Sequence, residues 1–227
     1  MTKFFPYCLC LFLLAGLSAC DTPEPTPEEN PTTETVNASA NPEAANENLR
    51  PIDSEEARIA TALLAAPEAS RDGAKVIGYD EAGELVTLRE GNNEFICLAD
   101  DPRQDGFSAA CYHKDLEPFM ARGRELRAEG KSAQEIFAMR EEEVKGKNLA
   151  MAPTGATLHI YYGDGTDYDP ATGEVDGAKY RYVVYMPYAT AESTGLPESP
   201  VAPNHPWIMD PGTHRAHIMI SPLAGER

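Results

Sequence analysis

Glu94-Phe-Ile-Cys-Leu98 and Phe107-Ser-Ala-Ala-Cys-Tyr112 are short apolar stretches that each place one cysteine among strand-forming residues. The segment between them, from Asp100 to Gly106, is rich in the Asp, Pro and Gly residues that form turns. The two stretches therefore predict an antiparallel hairpin centred on Gln104. In that register Cys97 lies directly opposite Cys111.

Opposed side chains on paired strands have Cβ atoms ~4.5–5.5 Å apart, which is near the distance that a disulfide requires. We therefore predict a Cys97–Cys111 disulfide. The alternative is a catalytic or redox cysteine, but the sequence has no C-x-x-C motif and no Cys/His pairing signal to favour it.

The segments on the N-terminal side of this hairpin predict a helix and a second hairpin. Asp53 and Glu56 form a potential capping box at the start of the helix, and Pro67 follows its end. Residues 75–79 and 84–89 are the two predicted strands, with Gly83 at the turn position that requires a positive φ.

The segments on the C-terminal side predict two helices followed by three strands. One helix begins near Asp115, and the next begins at a capping box formed by Ser132 and Glu135. Apolar residues then alternate with polar ones over residues 157–162, 179–186 and 215–220. Grouped strands, then helices, then strands predict an α+β domain over residues 51–227, with a mainly antiparallel sheet and about three helices.

The first nineteen residues predict an export signal and not a part of the fold. Lys3 precedes an apolar run from Phe4 to Leu17, which is too short to cross ~30 Å of hydrocarbon as a helix. The following Leu17-Ser18-Ala19-Cys20 resembles the lipobox of bacterial lipoproteins. The alternative is an ordinary secretory signal that happens to be followed by a cysteine.

The lipobox resemblance implies cleavage before Cys20, a thioether-linked diacylglycerol on its sulfur and usually a third acyl chain on its new amino group. Two or more acyl chains hold a protein stably on a membrane. We therefore expect a lipid-anchored protein of the bacterial cell envelope, periplasmic or surface-exposed, with no cofactor besides this covalent lipid. Asp21 leaves the choice between inner and outer membrane open. Export also favours the disulfide, because the envelope is oxidising.

Residues 20–50 predict a disordered linker between the anchor and the domain. The segment from Asp21 to Arg50 contains five prolines, seven acidic residues and one Arg, and its only sizeable apolar residues are Val36 and Leu49. Such a composition cannot bury enough surface to offset the entropy of folding. We interpret it as a stalk, with a docking motif as the alternative.

The charge of the chain restricts its partners. It has 19 basic and 37 acidic residues among 227, a formal net charge of −18. Nucleic-acid binding requires a basic surface, and docking on anionic lipid requires clustered Lys and Arg, so neither is expected. The expected partners are the membrane, through the acyl anchor, and an envelope protein or cell-wall polymer.

The densest group of candidate ligands for a metal is near the C-terminus, at His205, Asp210, His214 and His217. Imidazoles and a carboxylate suit zinc, which would make this group the site of a metal-assisted hydrolase. The spacing argues against it, because His214 and His217 would point to opposite faces of a strand. The more conservative interpretation is a packed loop with surface histidines.

The loop from Gly163 to Gly177 is the second candidate site, because it contains five carboxylates, including Asp164, Asp167 and Asp169. Carboxylates bind Ca²⁺, but the spacing does not match an EF-hand, so a solvated loop is the default interpretation. Seven of the ten tyrosines lie between residues 161 and 188, where they suit either a strand core or a ligand surface.

No catalytic motif is present: there is no Walker loop, no G-x-G-x-x-G and no G-x-S-x-G. The sequence therefore favours a non-catalytic binding or interaction module that is tethered in the envelope. The alternative function is an envelope hydrolase that uses the C-terminal His/Asp group.

Overall fold

The computed structural model describes residues 48–80, 82–151 and 153–223. At its centre, strands Phe95–Leu98 and Phe107–His113 pair antiparallel, and Cys97 is the register partner of Cys111. The two sulfurs are 2.06 Å apart, so the disulfide predicted from this register is present.

The described residues contain ten strands, which pair into two sheets. In chain order they are β1 (Arg50–Pro51), β2 (Lys75–Tyr79), β3 (Leu85–Arg89), β4 (Phe95–Leu98), β5 (Phe107–His113), β6 (Thr157–Gly163), β7 (Asp167–Tyr168), β8 (Lys179–Tyr185), β9 (Trp207–Met209) and β10 (His217–Ile220). Eight of them form one sheet in the order β3-β2-β4-β5-β6-β8-β10-β9, and β1 pairs separately with β7. Every pair is antiparallel except β2 with β4, which is parallel.

Four α-helices accompany the sheet in the described ranges: α1 (Glu55–Leu63), α2 (Glu117–Ala128), α3 (Ala133–Lys145) and α4 (Ala191–Thr194). The first three correspond to the predicted helices, and α4 is a single turn. The predicted fold class, α+β with a mainly antiparallel sheet, is therefore confirmed. Ser132 and Glu135 form the predicted capping box at the start of α3.

Both faces of the sheet are covered, and each face has its own core. The disulfide and Phe107 face α1, where they pack with Ala62 and Tyr161. On the opposite face Tyr112 and Phe119 pack with Leu116, in the turn before α2, and with three residues of the later strands: Val183, Tyr185 and Met219. Successive residues of a strand point to opposite faces, so the alternation in the sequence supplies both cores.

Several predicted boundaries differ from those observed. The N-cap of α1 is Ser54, whose hydroxyl accepts from the Ala57 amide, and not Asp53. Both residue types cap helices well, so the sequence did not distinguish two neighbours. The last strand begins at His217 and not at residue 215, because the Ala216 amide bonds to Thr213 in a preceding turn. The turn at Gly83 has the expected positive φ, 82°.

The predicted signal peptide, the lipidated Cys20 and the linker up to residue 47 lie outside the described residues. Arg50, the last residue assigned to the linker, is already paired with Tyr168 in the small sheet. Among the described residues, no helix is both long and apolar enough to cross a bilayer.

Removing the disulfide is expected to destabilise the domain, because the bond closes a loop of 14 residues in the unfolded chain. Replacing Cys97 and Cys111 together by Ala should lower the free energy of unfolding by about 3 kcal/mol. Urea denaturation of both proteins measures the difference. A double variant as stable as the parent would contradict this, as would two alkylatable thiols in the native, unreduced domain.

Candidate functional site

One cleft lies at an end of the sheet, where β8 begins and β10 ends. Its volume is about 780 Å³, which is within the range of small-ligand sites. The start of β9 and the loop segments around Val175, Pro203 and Pro222 complete its walls. Residues of both cores line the cleft: Tyr161 belongs to the core under α1, and Met219 belongs to the core on the opposite face.

Aromatic rings form much of the cleft wall. Tyr180 stacks on Tyr161, with ring centroids 4.6 Å apart and planes 17° apart. The Tyr161 hydroxyl accepts a hydrogen bond from the Val175 amide at 2.9 Å, which fixes the ring pair against the loop. Trp207, the single tryptophan of the chain, lines the same cleft from β9.

Among the described residues that line the cleft, three side chains are formally charged: Lys179, Arg181 and Glu174. The Arg181 guanidinium lies 4.6 Å from the centre of the Tyr162 ring and donates to its hydroxyl at 2.9 Å. Within the described part of the chain, neither Lys179 nor Arg181 forms an ion pair.

Two buried polar atoms beside the cleft have no hydrogen-bond partner among the described residues. They are the hydroxyl oxygen of Tyr180 and Nε of Arg181. Burial raises the pKa of Tyr180 to about 12, so its hydroxyl stays protonated at neutral pH. Buried polar groups are nearly always paired with protein, water or a ligand, so these two atoms indicate where a bound molecule would add hydrogen bonds.

A second cleft, of about 610 Å³, lies between the β2–β3 turn, the β4–β5 loop and α2. Two of its arginines are paired with carboxylates of the same cleft: Arg103 bonds to Asp101 at 2.8 Å, and Arg124 bonds to Glu117 at 2.7 Å. Arg103 also lies over the Tyr79 ring. These internal pairs give the second cleft a structural role, and the first cleft is the better candidate for a ligand site.

The structure gives each of the four predicted C-terminal ligands a separate contact. His205 lines the first cleft, and its Nδ1 donates to the Pro206 carbonyl. Asp210 pairs with Arg215 at 2.8 Å. His217 is buried, and its Nδ1 donates to the carbonyl of Arg215. Among the described residues, no three His, Cys, Asp or Glu side chains are arranged to hold a metal ion.

His214 is fully buried, with its ring 5.5 Å from that of Phe119 and 4.9 Å from that of Phe137. It lies in the turn before β10, so the expectation that it faces away from His217 across a strand is wrong. Both rings lie on the α2 and α3 side of the sheet, where Tyr185 contacts both His217 and Phe119. Neither ring nitrogen of His214 has a hydrogen bond in the described structure.

The charged neighbours of His214 come from α3 and from the turn before β10. Glu141 has a carboxylate oxygen 4.0 Å from Nδ1. Asp210 adds a second negative charge, and Arg140 and Arg215 add positive charges. Burial outweighs the carboxylates and lowers the pKa of His214 to about 4, so the ring is neutral at physiological pH.

The acidic loop contains backbone pairing that its composition does not indicate. Asp167 lies in β7 and pairs with Pro51 of β1. The Asp169 carboxylate accepts from the Ala171 amide at 2.8 Å and so forms a turn. Asp164 lies between β6 and β7. The loop therefore contains a strand, β7, that pairs with Arg50 and Pro51 of β1 in the small sheet.

Comparisons with protein families, with curated proteins and with solved structures find no significant match for this chain. The site is therefore judged on its geometry and chemistry alone.

Sequence reasoning missed Lys179 and Arg181 as site residues, because in a strand with regular alternation they are indistinguishable from solvent-facing positions. The feature of the sequence that could have indicated them is a pair of cations, two residues apart, at the start of a Tyr-rich strand in an acidic chain. That signal identifies a cleft only when the segments around residues 203 and 222 are brought beside it.

The buried neutral state of His214 predicts a loss of stability in mild acid. Between the ordinary pKa of 6.5 and the folded value of about 4, the unfolded chain binds a proton that the folded chain does not. Lowering the pH from 7 to 5 should therefore remove about 2 kcal/mol of stability through this residue. Urea denaturation at the two pH values, for the parent and for His214→Phe, measures it.

Between pH 7 and pH 5, the free energy of unfolding of His214→Phe should fall by about 2 kcal/mol less than that of the parent. His205→Gln is the matched control, because the His205 ring is only partly buried and does not lie between Phe119 and Phe137. Equal pH dependence in the parent and His214→Phe would show that His214 does not titrate as described.

Proposed function

We propose that this protein is a membrane-anchored lipoprotein of the bacterial cell envelope that acts as a non-catalytic binding module. Cys20 would carry the lipid, and the cleft at the end of β8 and β10 would hold the ligand. The observation that carries the proposal is the cleft itself: about 780 Å³, lined by the Tyr161–Tyr180 stack and by Trp207.

The walls of the cleft suit binding because aromatic rings offer a flat apolar surface with a polar tip. Tyr180 and Arg181 add buried polar atoms without partners, and Lys179 adds an unpaired charge at the rim. A few convergent polar groups in a largely apolar concavity are the usual composition of a ligand site.

A binding role requires no catalytic group. The C-terminal His and Asp residues make structural contacts instead of forming a common site. Asp210 neutralises Arg215, and His214 packs between two phenylalanines. The expected ligand is an envelope protein or a cell-wall polymer, since a lipid anchor restricts the domain to molecules within reach of the membrane.

Anchoring is tested by replacing Cys20 with Ser in the full chain. The parent, expressed in a Gram-negative host, should fractionate with membranes and carry a diacylglyceryl group on its N-terminal cysteine by mass spectrometry. The Cys20→Ser variant should lose the lipid and leave the membrane fraction. An unlipidated parent would contradict the anchor.

Binding at the cleft is tested by photocrosslinking in the same cells. A photoreactive residue replaces Ala202, which is exposed at the cleft, or Ala128, which is exposed at the second cleft and serves as the matched control. The proposal expects a covalent adduct with an envelope component from position 202 and none from 128. No adduct from 202, or the same adducts from both positions, would contradict it. A partner that the purified protein cleaves would favour the hydrolase alternative.

A further inference from the structure

We propose that the ligand of this cleft is an acidic carbohydrate, meaning a six-membered sugar ring that bears a carboxylate. The ring would pack against Trp207, and the carboxylate would pair with Arg181 and Lys179, whose side chains leave β8 on the same face of the sheet as Trp207. This inference rests on the proposed binding function and specifies its ligand.

The charge of the cleft is the first reason. The chain as a whole carries −18, yet the described side chains that line this cleft contribute two positive charges and one carboxylate, that of Glu174. The cations have no ion pair within the described ranges, in contrast to Arg103 and Arg124 of the second cleft. A local positive site in an acidic protein favours an anionic group on the ligand.

The shape and polarity of the walls are the second reason. Trp207 and Tyr180 supply flat ring surfaces, and Pro200, Pro203 and Pro222 supply rigid apolar ones. A sugar ring has an apolar C–H face that suits an aromatic surface, and its hydroxyls both donate and accept hydrogen bonds. Lipid tails would leave the polar atoms of the cleft without partners, which is costly.

The unpartnered atoms are the third reason, and they are independent of the charge. The Tyr180 hydroxyl and Nε of Arg181 are both buried without a hydrogen bond among the described residues. Nε can only donate, while the phenol can both donate and accept. The carboxylate would satisfy Nε of Arg181. Tyr180 precedes Arg181 in β8 and points to the opposite face of the sheet, where it stacks on Tyr161, so its hydroxyl is not assigned to the same group of the ligand.

Two sources of such a sugar are plausible in an envelope: a muramic acid unit of the cell wall and a uronic acid unit of a surface polysaccharide. A uronic acid carries its carboxylate on the pyranose ring, and a muramic acid unit presents a free lactyl carboxylate beside the ring where the stem peptide has been removed. The probes are therefore N-acetylglucosaminyl-N-acetylmuramic acid for the first source and digalacturonic acid for the second. Neutral chitobiose and a short Glu/Pro-rich peptide are the controls.

The experiment is a titration of the purified mature protein with each probe. Trp207 is the only tryptophan in the chain, so its fluorescence reports on this cleft without a label. At least one acidic disaccharide should bind roughly tenfold or more tightly than chitobiose or the peptide, and added salt should weaken that binding. The acidic probe that binds identifies the source.

Substitutions in the cleft test whether Arg181 contacts the carboxylate of the ligand. Arg181→Gln should weaken binding of the acidic disaccharide by roughly tenfold and so remove most of its preference over chitobiose. Arg103→Gln, at the second cleft, is the matched control and should change neither. Thermal unfolding of both variants checks that the fold is retained. If Arg181→Gln unfolds, Lys179→Gln repeats the test, because Lys179 is at an exposed position.

Equal binding of chitobiose and the acidic disaccharides would overturn the charge assignment. Preferential binding of the Glu/Pro-rich peptide would identify a protein partner instead. If no probe binds while position 202 still crosslinks in cells, the sugar inference is wrong and the binding function stands. If position 202 also gives no adduct, the binding function itself is wrong.

Discussion

The register between β4 and β5 is the constraint on which the rest of the structure depends. With Cys97 opposite Cys111, this pair faces α1, and the neighbouring pair of Ile96 and Tyr112 faces α2. A slip of one residue would exchange the two faces of the strand, and both cores would lose their contacts. The disulfide joins the strands at this position, so it holds the register as well as closing the loop.

The side of the sheet that α2 and α3 cover contains more polar groups than the side under α1. Arg140 of α3 is buried, lies 3.9 Å from the centre of the Phe119 ring and donates to the Phe119 carbonyl at 3.1 Å. Gly123 leaves room for this guanidinium, because a Cβ atom there would lie 2.9 Å from it. With His214 between Phe119 and Phe137, the helices meet the sheet through rings and cations as well as aliphatic contacts.

Local patterns in the sequence predicted the helices and most strands, because strand alternation and the Ser132–Glu135 capping box act over a few residues. The cross-strand Cys97–Cys111 pair was predictable since one short turn sets its register. Non-local pairing was not: β1 meets β7 after more than a hundred residues, and the three-residue β9 is too short to show alternation. The cleft was missed for the same reason, because its walls come from three distant segments.

A ligand bound in this cleft, as we propose, would require no large rearrangement of the cleft walls. Tyr180 and Arg181 belong to β8, and Trp207 belongs to β9, so the groups that would contact a ligand are carried by hydrogen-bonded strands. The Tyr161–Tyr180 stack and the Arg181–Tyr162 contact hold the two β8 side chains before any ligand arrives. Little side-chain entropy is then lost on binding, which favours affinity in an open cleft of modest size.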